Sequence, residues 1–184
     1  MTDSGHSASL AKGALAGLLG GLAASFFMNQ FMTGIALVTD GRKPNSADPQ
    51  RTKQLMTSRR KRFHEMADPT GEVSESIASR LLDRKLTDHE RDIAAPVVHY
   101  AFGALAGVLY GALAESVPTT RIGKGIPFGL ALWATGDEIA VPALGLARKP
   151  WQQPFEAHAA MFASHIVYGF ALETVRNRVR DAVA

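Results

Sequence analysis

The chain has 184 residues, of which 46% are hydrophobic, with 20 Lys and Arg against 17 Asp and Glu and no cysteine. This length suits one domain or one small helical bundle, and the lack of cysteine excludes disulfides and thiolate chemistry. Twelve of the twenty basic residues lie between residues 40 and 92, and the long apolar runs hold almost none. This segregation of charge is typical of a membrane protein with one basic loop. Because the basic segment carries no nucleic-acid-binding motif, we expect no nucleic-acid partner.

Four apolar runs follow one another, at about residues 13–38, 93–115, 126–147 and 155–175. Each is close to the roughly 20 residues that a helix needs to cross a bilayer. Backbone polar groups in lipid must be satisfied within their own segment, which favours helices for runs of this length. The sequence therefore predicts an all-α fold, a single membrane domain over residues 1–184. We expect this domain to be an integral membrane four-helix bundle with a long polar loop, 39–92, between spans 1 and 2.

Glycines recur every four residues in the first two spans: Gly13, Gly17 and Gly21, then Gly103, Gly107 and Gly111. Small residues at this spacing lie on one helix face and let another helix approach closely. The segments 13–24 and 103–114 are also alike, which a duplication or two faces that pack on each other would both produce. We favour packing. The same faces are the predicted contacts for a homo-oligomer or a partner membrane subunit.

The polar loop contains three local signals. Residues 52–66 mix apolar side chains with a basic run, which suits an amphipathic helix on anionic lipid; a solvated helix or coil is the alternative. Val73, Ile77 and Leu81 stand at helical spacing and predict a short helix. Thr87 and Glu90 have the spacing of a capping box, so we expect the second long helix to begin near residue 88.

Two carboxylates interrupt the third span. Asp137 and Glu138 lie about eleven residues into it, roughly 16 Å deep at 1.5 Å per residue. A charged carboxylate near the bilayer midplane costs several kcal/mol, so each should be protonated, paired or bound to a cation. Pro142 has no amide proton to donate to the carbonyl of Glu138. We therefore expect a free carbonyl oxygen beside the carboxylates.

Three histidines complete the polar set. His158 and His165 are seven residues apart, which places them on one face of the fourth span. His165 has the same depth as Asp137 and Glu138, and His99 enters the second span from the side of the long loop. These depths predict an outer layer of His99 and His158 above an inner layer of Asp137, Glu138 and His165.

Three interpretations of these five residues are open. They form a structural polar core, or they bind a divalent metal ion, or they bind and move protons or other ions. Imidazole and carboxylate ligands suit Zn, Fe or Mn. The sequence lacks a phosphate-binding loop, a nucleophile elbow and a dinucleotide fingerprint, so we expect a non-enzymatic function. A membrane metalloenzyme is the third choice.

Several short motifs in the second half of the chain carry a resemblance to a known family. They are His99-Tyr100, Glu115-x-x-Pro118, Pro142-Ala-Leu-Gly145-Leu146, Ser164-His165-Ile-Val-Tyr168-Gly169, and Glu173 with the arginine tail. With these motifs the chain resembles the YagU-type inner-membrane proteins, a bacterial family of uncharacterised function. The resemblance implies a multi-pass protein of the bacterial inner (plasma) membrane, with cytoplasmic ends, a periplasmic first loop and a role in acid tolerance.

The expected function is cation or proton binding at an intramembrane His/carboxylate cluster, in a response to acid or metal. A structural or scaffolding membrane subunit is the alternative, with polar groups that only lock its core. Orientation stays open, because the count of Lys and Arg places the long loop inside whereas the resemblance places it outside.

Overall fold

The computed structural model describes residues 3–40, 50, 69–146 and 148–183, and all regular structure within these ranges is helical. The described residues form five helical segments: α1 (Asp3–Asp40), α2 (Pro69–Leu82), α3 (Asp88–Ser116), α4 (126–143) and α5 (Phe155–Ala182). Short 3-10 turns, Pro118–Arg121 and Pro150–Gln152, precede α4 and α5. The all-α prediction is confirmed. The predicted basic stretch, 52–66, lies outside the described residues.

Among the described residues, two helices are long and apolar enough to cross a membrane. They are α1, over Ser9–Val38, and α3, over Asp88–Ser116. These segments coincide with the first two predicted spans, 13–38 and 93–115, although both helices extend beyond them.

The N-terminus of α3 is fixed by side chains. Thr87 and Glu90 form the predicted capping box: the backbone N–H of Glu90 donates to Thr87 Oγ1 at 3.3 Å, and that of Thr87 donates to Glu90 Oε2 at 2.9 Å. Arg84 donates two hydrogen bonds to the same carboxylate, at 2.8 and 2.6 Å. These hydrogen bonds, with the charge of Glu90, raise the pKa of Arg84 above its usual range.

The helices α1 and α3 run antiparallel and pack glycine against glycine. A Cβ built on Gly17 would overlap the carbonyl oxygen of Gly107, and one on Gly21 would overlap that of Gly103. Gly13 and Gly111 form the third such contact. The two glycine faces that the sequence assigned to an oligomer or a partner subunit therefore cover each other within the chain.

The helix α5 packs against α1 and holds α4 on its other side. A Cβ on Gly129 of α4 would overlap the carbonyl oxygen of His165, and Gly169 meets Gly125 in the same way. Tyr168 donates a hydrogen bond to the carbonyl of Gly103 at 2.6 Å and ties α5 to α3. The buried core consists of Ala24, Met28, Ala106, Tyr110, Ala114, Met161, Tyr168, Ala171 and Leu172. Close backbone contact between α4 and α5 positions the polar residues of both helices.

The helix α4 changes its winding along its length. It is α-helical over Ile126–Leu132, a π-helix over Trp133–Ala140, and α-helical again over Val141–Ala143. The helix ends at Ala143, four residues before the end of the predicted third span, 126–147. The helix ends because Gly145 adopts a φ of +64°, a conformation that favours glycine, and the N–H of Leu146 turns back to the carbonyl of Val141 at 3.0 Å.

The predicted short helix in the polar loop exists as α2. Val73 is partly buried and Ile77 is exposed, and the buried residues among those described are Gly71, Ser74 and Ala78. These small residues let α2 lie close to α3.

The opposite edge of α2 contacts the turn after α4. Glu72 forms an ion pair with Arg148, with Nε 2.8 Å from Oε1. Ser76 donates to the carbonyl of Leu146 at 3.0 Å, and Arg80 donates to that of Leu144 at 2.9 Å. Because these contacts satisfy carbonyls at the C-terminus of α4, the helix α2 caps the end of α4 that lies beside the α4–α5 hairpin.

Candidate functional site

Glu138 and His158 form an outer pair beside the α4–α5 hairpin. His158 Nδ1 lies 2.7 Å from Glu138 Oε1, and His158 Nε2 lies 2.9 Å from the carbonyl oxygen of Pro150. A carbonyl only accepts, so Nε2 must carry a hydrogen. Nδ1 then either donates to an ionised Glu138 or accepts from a protonated one. In both forms the pair holds one shared proton and is neutral overall.

Asp137 and His165 form an inner pair. His165 Nδ1 donates to the carbonyl of Met161 at 2.9 Å, and Nε2 faces Asp137 Oδ2 at 3.5 Å. Without a proton between them, the lone pair of Nε2 would face a negative oxygen, so this pair also needs one shared proton. The distance is longer than a good hydrogen bond, and Asp137 Oδ2 is buried with no hydrogen-bond partner among the described residues. The inner contact is thus looser than the outer one.

The π-helical segment changes the consequence expected of Pro142. The N–H of Val141 donates to the carbonyl of Gly136, five residues earlier. In that register the donor for the carbonyl of Asp137 would be residue 142, a proline without an amide proton. The α-helical register assumed from the sequence would have freed the carbonyl of Glu138. The expected free carbonyl therefore moves by one residue, to Asp137.

The structure joins four of the five predicted site residues in pairs, whereas His99 has other direct partners. His99 Nε2 lies 3.3 Å from the carbonyl oxygen of Ser25, and its ring meets Tyr100 edge to face. No hydrogen bond or ion pair among the described residues joins His99 to the other four. The direct contacts are thus two pairs, His158 with Glu138 and His165 with Asp137, while the predicted layers stay a prediction. Depth alone could not show that each carboxylate meets its own histidine.

A metal site is not assembled among the residues that the structure describes, since no three His, Cys, Asp or Glu side chains converge there. His158 uses both ring nitrogens within the protein, whereas His165 keeps Nε2 facing Asp137. Zinc sites in proteins require three or four ligands, and each pair here offers two. A divalent metal at these residues stays a prediction.

A second buried polar cluster lies at the opposite end of α5. Arg176 is fully buried, and its Nε and Nη2 donate to Glu173 at 2.6 and 2.9 Å. Arg180 Nε donates to Glu115 Oε1 at 2.9 Å, and Ser9 Oγ donates to Glu115 Oε2 at 2.5 Å. In the sequence these arginines stand out only as an arginine-rich tail. The i, i+3 spacing of Glu173 and Arg176 was the signal that could have found the cluster.

Comparison with known proteins gives one match. Residues 49–174 fit the family model DUF1440, a protein of unknown function. The chain belongs to the DUF1440 family. No curated protein and no solved structure matches it. The DUF1440 match spans α2, α3, α4 and both His/carboxylate pairs, and it ends before Arg176. An uncharacterised family is thus confirmed, while the narrower YagU-type resemblance stays a prediction.

Proposed function

We propose that this DUF1440 protein is a four-span membrane protein that binds protons at two His/carboxylate pairs between its third and fourth spans. Its role would be a response to acid. The outer pair carries the proposal: His158 Nδ1 lies 2.7 Å from Glu138 Oε1 while Nε2 is held by the carbonyl of Pro150. An imidazole fixed in this way has one nitrogen left for a proton that the carboxylate shares.

The distribution of side chains supports a membrane location. Large apolar side chains are exposed along three long helices: Leu15, Leu19, Phe26, Phe102, Leu105, Leu109, Phe162 and Phe170. Many of the buried residues are small or polar, among them Ser25, Ser164 and Arg176. Soluble monomers avoid such wide apolar surfaces, which lipid tails would cover. The helix α4 is up to about 27 Å long at 1.5 Å per residue, close to the thickness of a bilayer core. The bacterial inner membrane is the proposed location.

Proton binding needs no group beyond those present. Histidine ordinarily titrates near pH 6.5, and the carboxylate beside it keeps the singly protonated pair neutral. A further proton would leave a net positive charge between α4 and α5, and loss of the shared proton would leave a net negative one. Both charges are unfavourable in a low-dielectric interior. Each change would weaken the contact between the two helices, so pH would shift their relative position.

The test uses Trp133, which lies four residues before Asp137 in α4. The chain has two tryptophans, so Trp151→Phe leaves Trp133 as the reporter. We expect its fluorescence, in purified protein in nanodiscs, to titrate between about pH 4 and 8. Glu138→Gln and His165→Gln should each alter the curve. Glu156→Gln is the matched control, because Glu156 is exposed on α5 close to His158. Identical curves for Glu138→Gln, His165→Gln and the parent would refute proton binding.

Metal analysis of the same preparations separates the remaining interpretations. The proposal expects protein purified without chelator to contain no stoichiometric divalent metal. Bound Zn, Fe or Mn that is lost in His165→Gln would favour the metal site. Loss of stability in both variants, with neither metal nor a titration, would favour the structural or scaffolding subunit.

A further inference from the structure

A sealed layer separates the inner pair from the arginine end of the bundle. Tyr110, Ala114 and Leu172 are fully buried, and Tyr168 is nearly so. Leu172 lies two turns after His165 on α5, so close to Gly20 that a Cβ built on that glycine would meet it. A proton that leaves the inner pair in this direction must cross this layer.

Among the described residues, no hydrogen bond joins the inner pair to the two tyrosines of the layer. The hydroxyl of Tyr168 donates to the carbonyl of Gly103 at 2.6 Å, and that of Tyr110 donates to the carbonyl of Thr120 at 3.4 Å and faces the carboxylate of Glu173 in the arginine cluster. A backbone carbonyl oxygen accepts but cannot pass a proton on. The other members of the layer are aliphatic. Proton transfer would therefore stop at this level.

Beyond the layer lies a permanently charged cluster. Arg176 follows His165 by eleven residues, about 16 Å along a helix. The charged groups around it are Glu173 and Arg180 on α5 and Glu115 on α3. Guanidinium groups do not lose their protons, and they hold both carboxylates in ion pairs. A fixed guanidinium also repels protons and cations, as in selective pores.

The side chains of the outer pair are more exposed than those of the inner pair. The side chains of Glu138 and His158 are each 23% exposed, whereas His165 is 6% and Asp137 19% exposed. The outer pair also contacts the hairpin through Pro150. On the α3 side, His99 interacts electrostatically with His165, and its Nε2 lies 3.3 Å from the carbonyl oxygen of Ser25. The open approach to the inner pair thus starts at the hairpin.

We infer that the proton site is one-sided. Protons reach Asp137 and His165 from the hairpin side, past Glu138 and His158. The layer of Tyr110, Tyr168 and Leu172, with Arg176 behind it, closes the other side. The protein then reports the pH of one compartment and does not conduct protons. This inference rests on the proposed proton-binding function.

Sidedness is measured in proteoliposomes. The chain has no native cysteine, so Trp151→Cys places a single thiol on the exposed hairpin and leaves Trp133 as the reporter. A membrane-impermeant thiol reagent gives the fraction of molecules with the hairpin outside. After a rapid external acid jump, the fraction of Trp133 signal that responds at once should equal the labelled fraction. The rest should respond after a proton ionophore is added. An immediate response of all molecules, or of the unlabelled fraction, would overturn one-sided access.

Proton flux into the same vesicles tests the seal. With a potential applied and a pH dye inside, vesicles containing the parent protein should leak no faster than protein-free vesicles. Leu172→Ala should raise the flux several-fold, whereas Leu109→Ala, a leucine exposed on the outer face of α3, should not. Conduction by the parent protein would refute the seal. If Leu172→Ala does not fold, the acid-jump measurement still decides.

Symmetric pH changes keep the two proposals apart. If Trp133 does not respond when both sides are acidified together, the proton site itself is wrong. If it responds to symmetric acid but equally fast from either side, only one-sided access is wrong.

Discussion

Carboxylates lie near both ends of α5, and the groups that compensate their charge differ between the two ends. At the hairpin end, Asp137 and Glu138 face histidines at 3.5 and 2.7 Å. At the far end, Glu173 and Glu115 are paired with arginines at 2.6 and 2.9 Å. Buried carboxylates need a compensating group in both places.

The difference between the partners decides what each end can do. Histidine gains and loses a proton within the physiological range, whereas arginine stays charged at every accessible pH. Acid can therefore change the charge of the hairpin end but leaves the far end as it is. We expect the arginine cluster at the far end to hold the helices together at every pH, and the His/carboxylate pairs at the hairpin end to respond to acid.

The largest expected effect comes from breaking the buried ion pair of Arg176 and Glu173. Arg176→Met removes a fully buried cation and leaves Glu173 without its two hydrogen bonds. Loss of one partner of a buried pair costs about 3–5 kcal/mol. We expect the free energy of unfolding in detergent, measured by denaturant titration, to fall by this amount.

The matched control removes both partners. In Arg176→Met with Glu173→Met, no unpaired charge is left, so most of the lost stability should return. A single variant as stable as the parent would contradict the view that this cluster holds the far end together.

A second prediction asks whether packing supports both ends. Gly107→Ala places a Cβ onto the carbonyl oxygen of Gly17 and must push α1 and α3 apart. Overpacking of this kind costs about 1–3 kcal/mol. Gly34→Ala is the control, because nothing lies within 4 Å of its Cβ, and it should stabilise the helix slightly. Equal stabilities for the two variants in the same denaturant titration would contradict the glycine packing.

A smaller effect is expected between the two ends. Tyr168→Phe removes the hydrogen bond to the carbonyl of Gly103, which joins α5 to α3. We expect a loss of about 0.5–1.5 kcal/mol in the free energy of unfolding. The pH titration of Trp133 fluorescence should keep its midpoint, since the hydroxyl belongs to neither pair. A shifted midpoint would mean that Tyr168 takes part in the proton site.

Local sequence signals predicted the long helices well. The capping box at Thr87 and Glu90 marked the start of α3, and apolar length marked α1 and α3. The sequence also singled out Asp137, Glu138, His158 and His165 as site candidates, because ionisable residues inside apolar runs stand out. These features depend on neighbours within one segment, which the sequence shows directly.

The features that were missed depend on contacts between segments. The π-helical winding of Trp133–Ala140 has no local signature here, and it changes which carbonyl Pro142 leaves free. The partner of each carboxylate follows from how α4 packs on α5. The sequence shows Arg176 only as part of an arginine-rich tail, and only folding brings Glu115 beside it.

The most direct test of the account is nitrogen NMR of ring-labelled histidine in the membrane-embedded protein, with His158 and His165 assigned from single variants. The account predicts that His158 Nε2 and His165 Nδ1 stay protonated throughout, because each donates to a backbone carbonyl. His158 Nδ1 and His165 Nε2 should change with pH as the shared proton moves. Ring nitrogens that do not respond to pH, or deprotonation of either carbonyl-bound nitrogen, would contradict it.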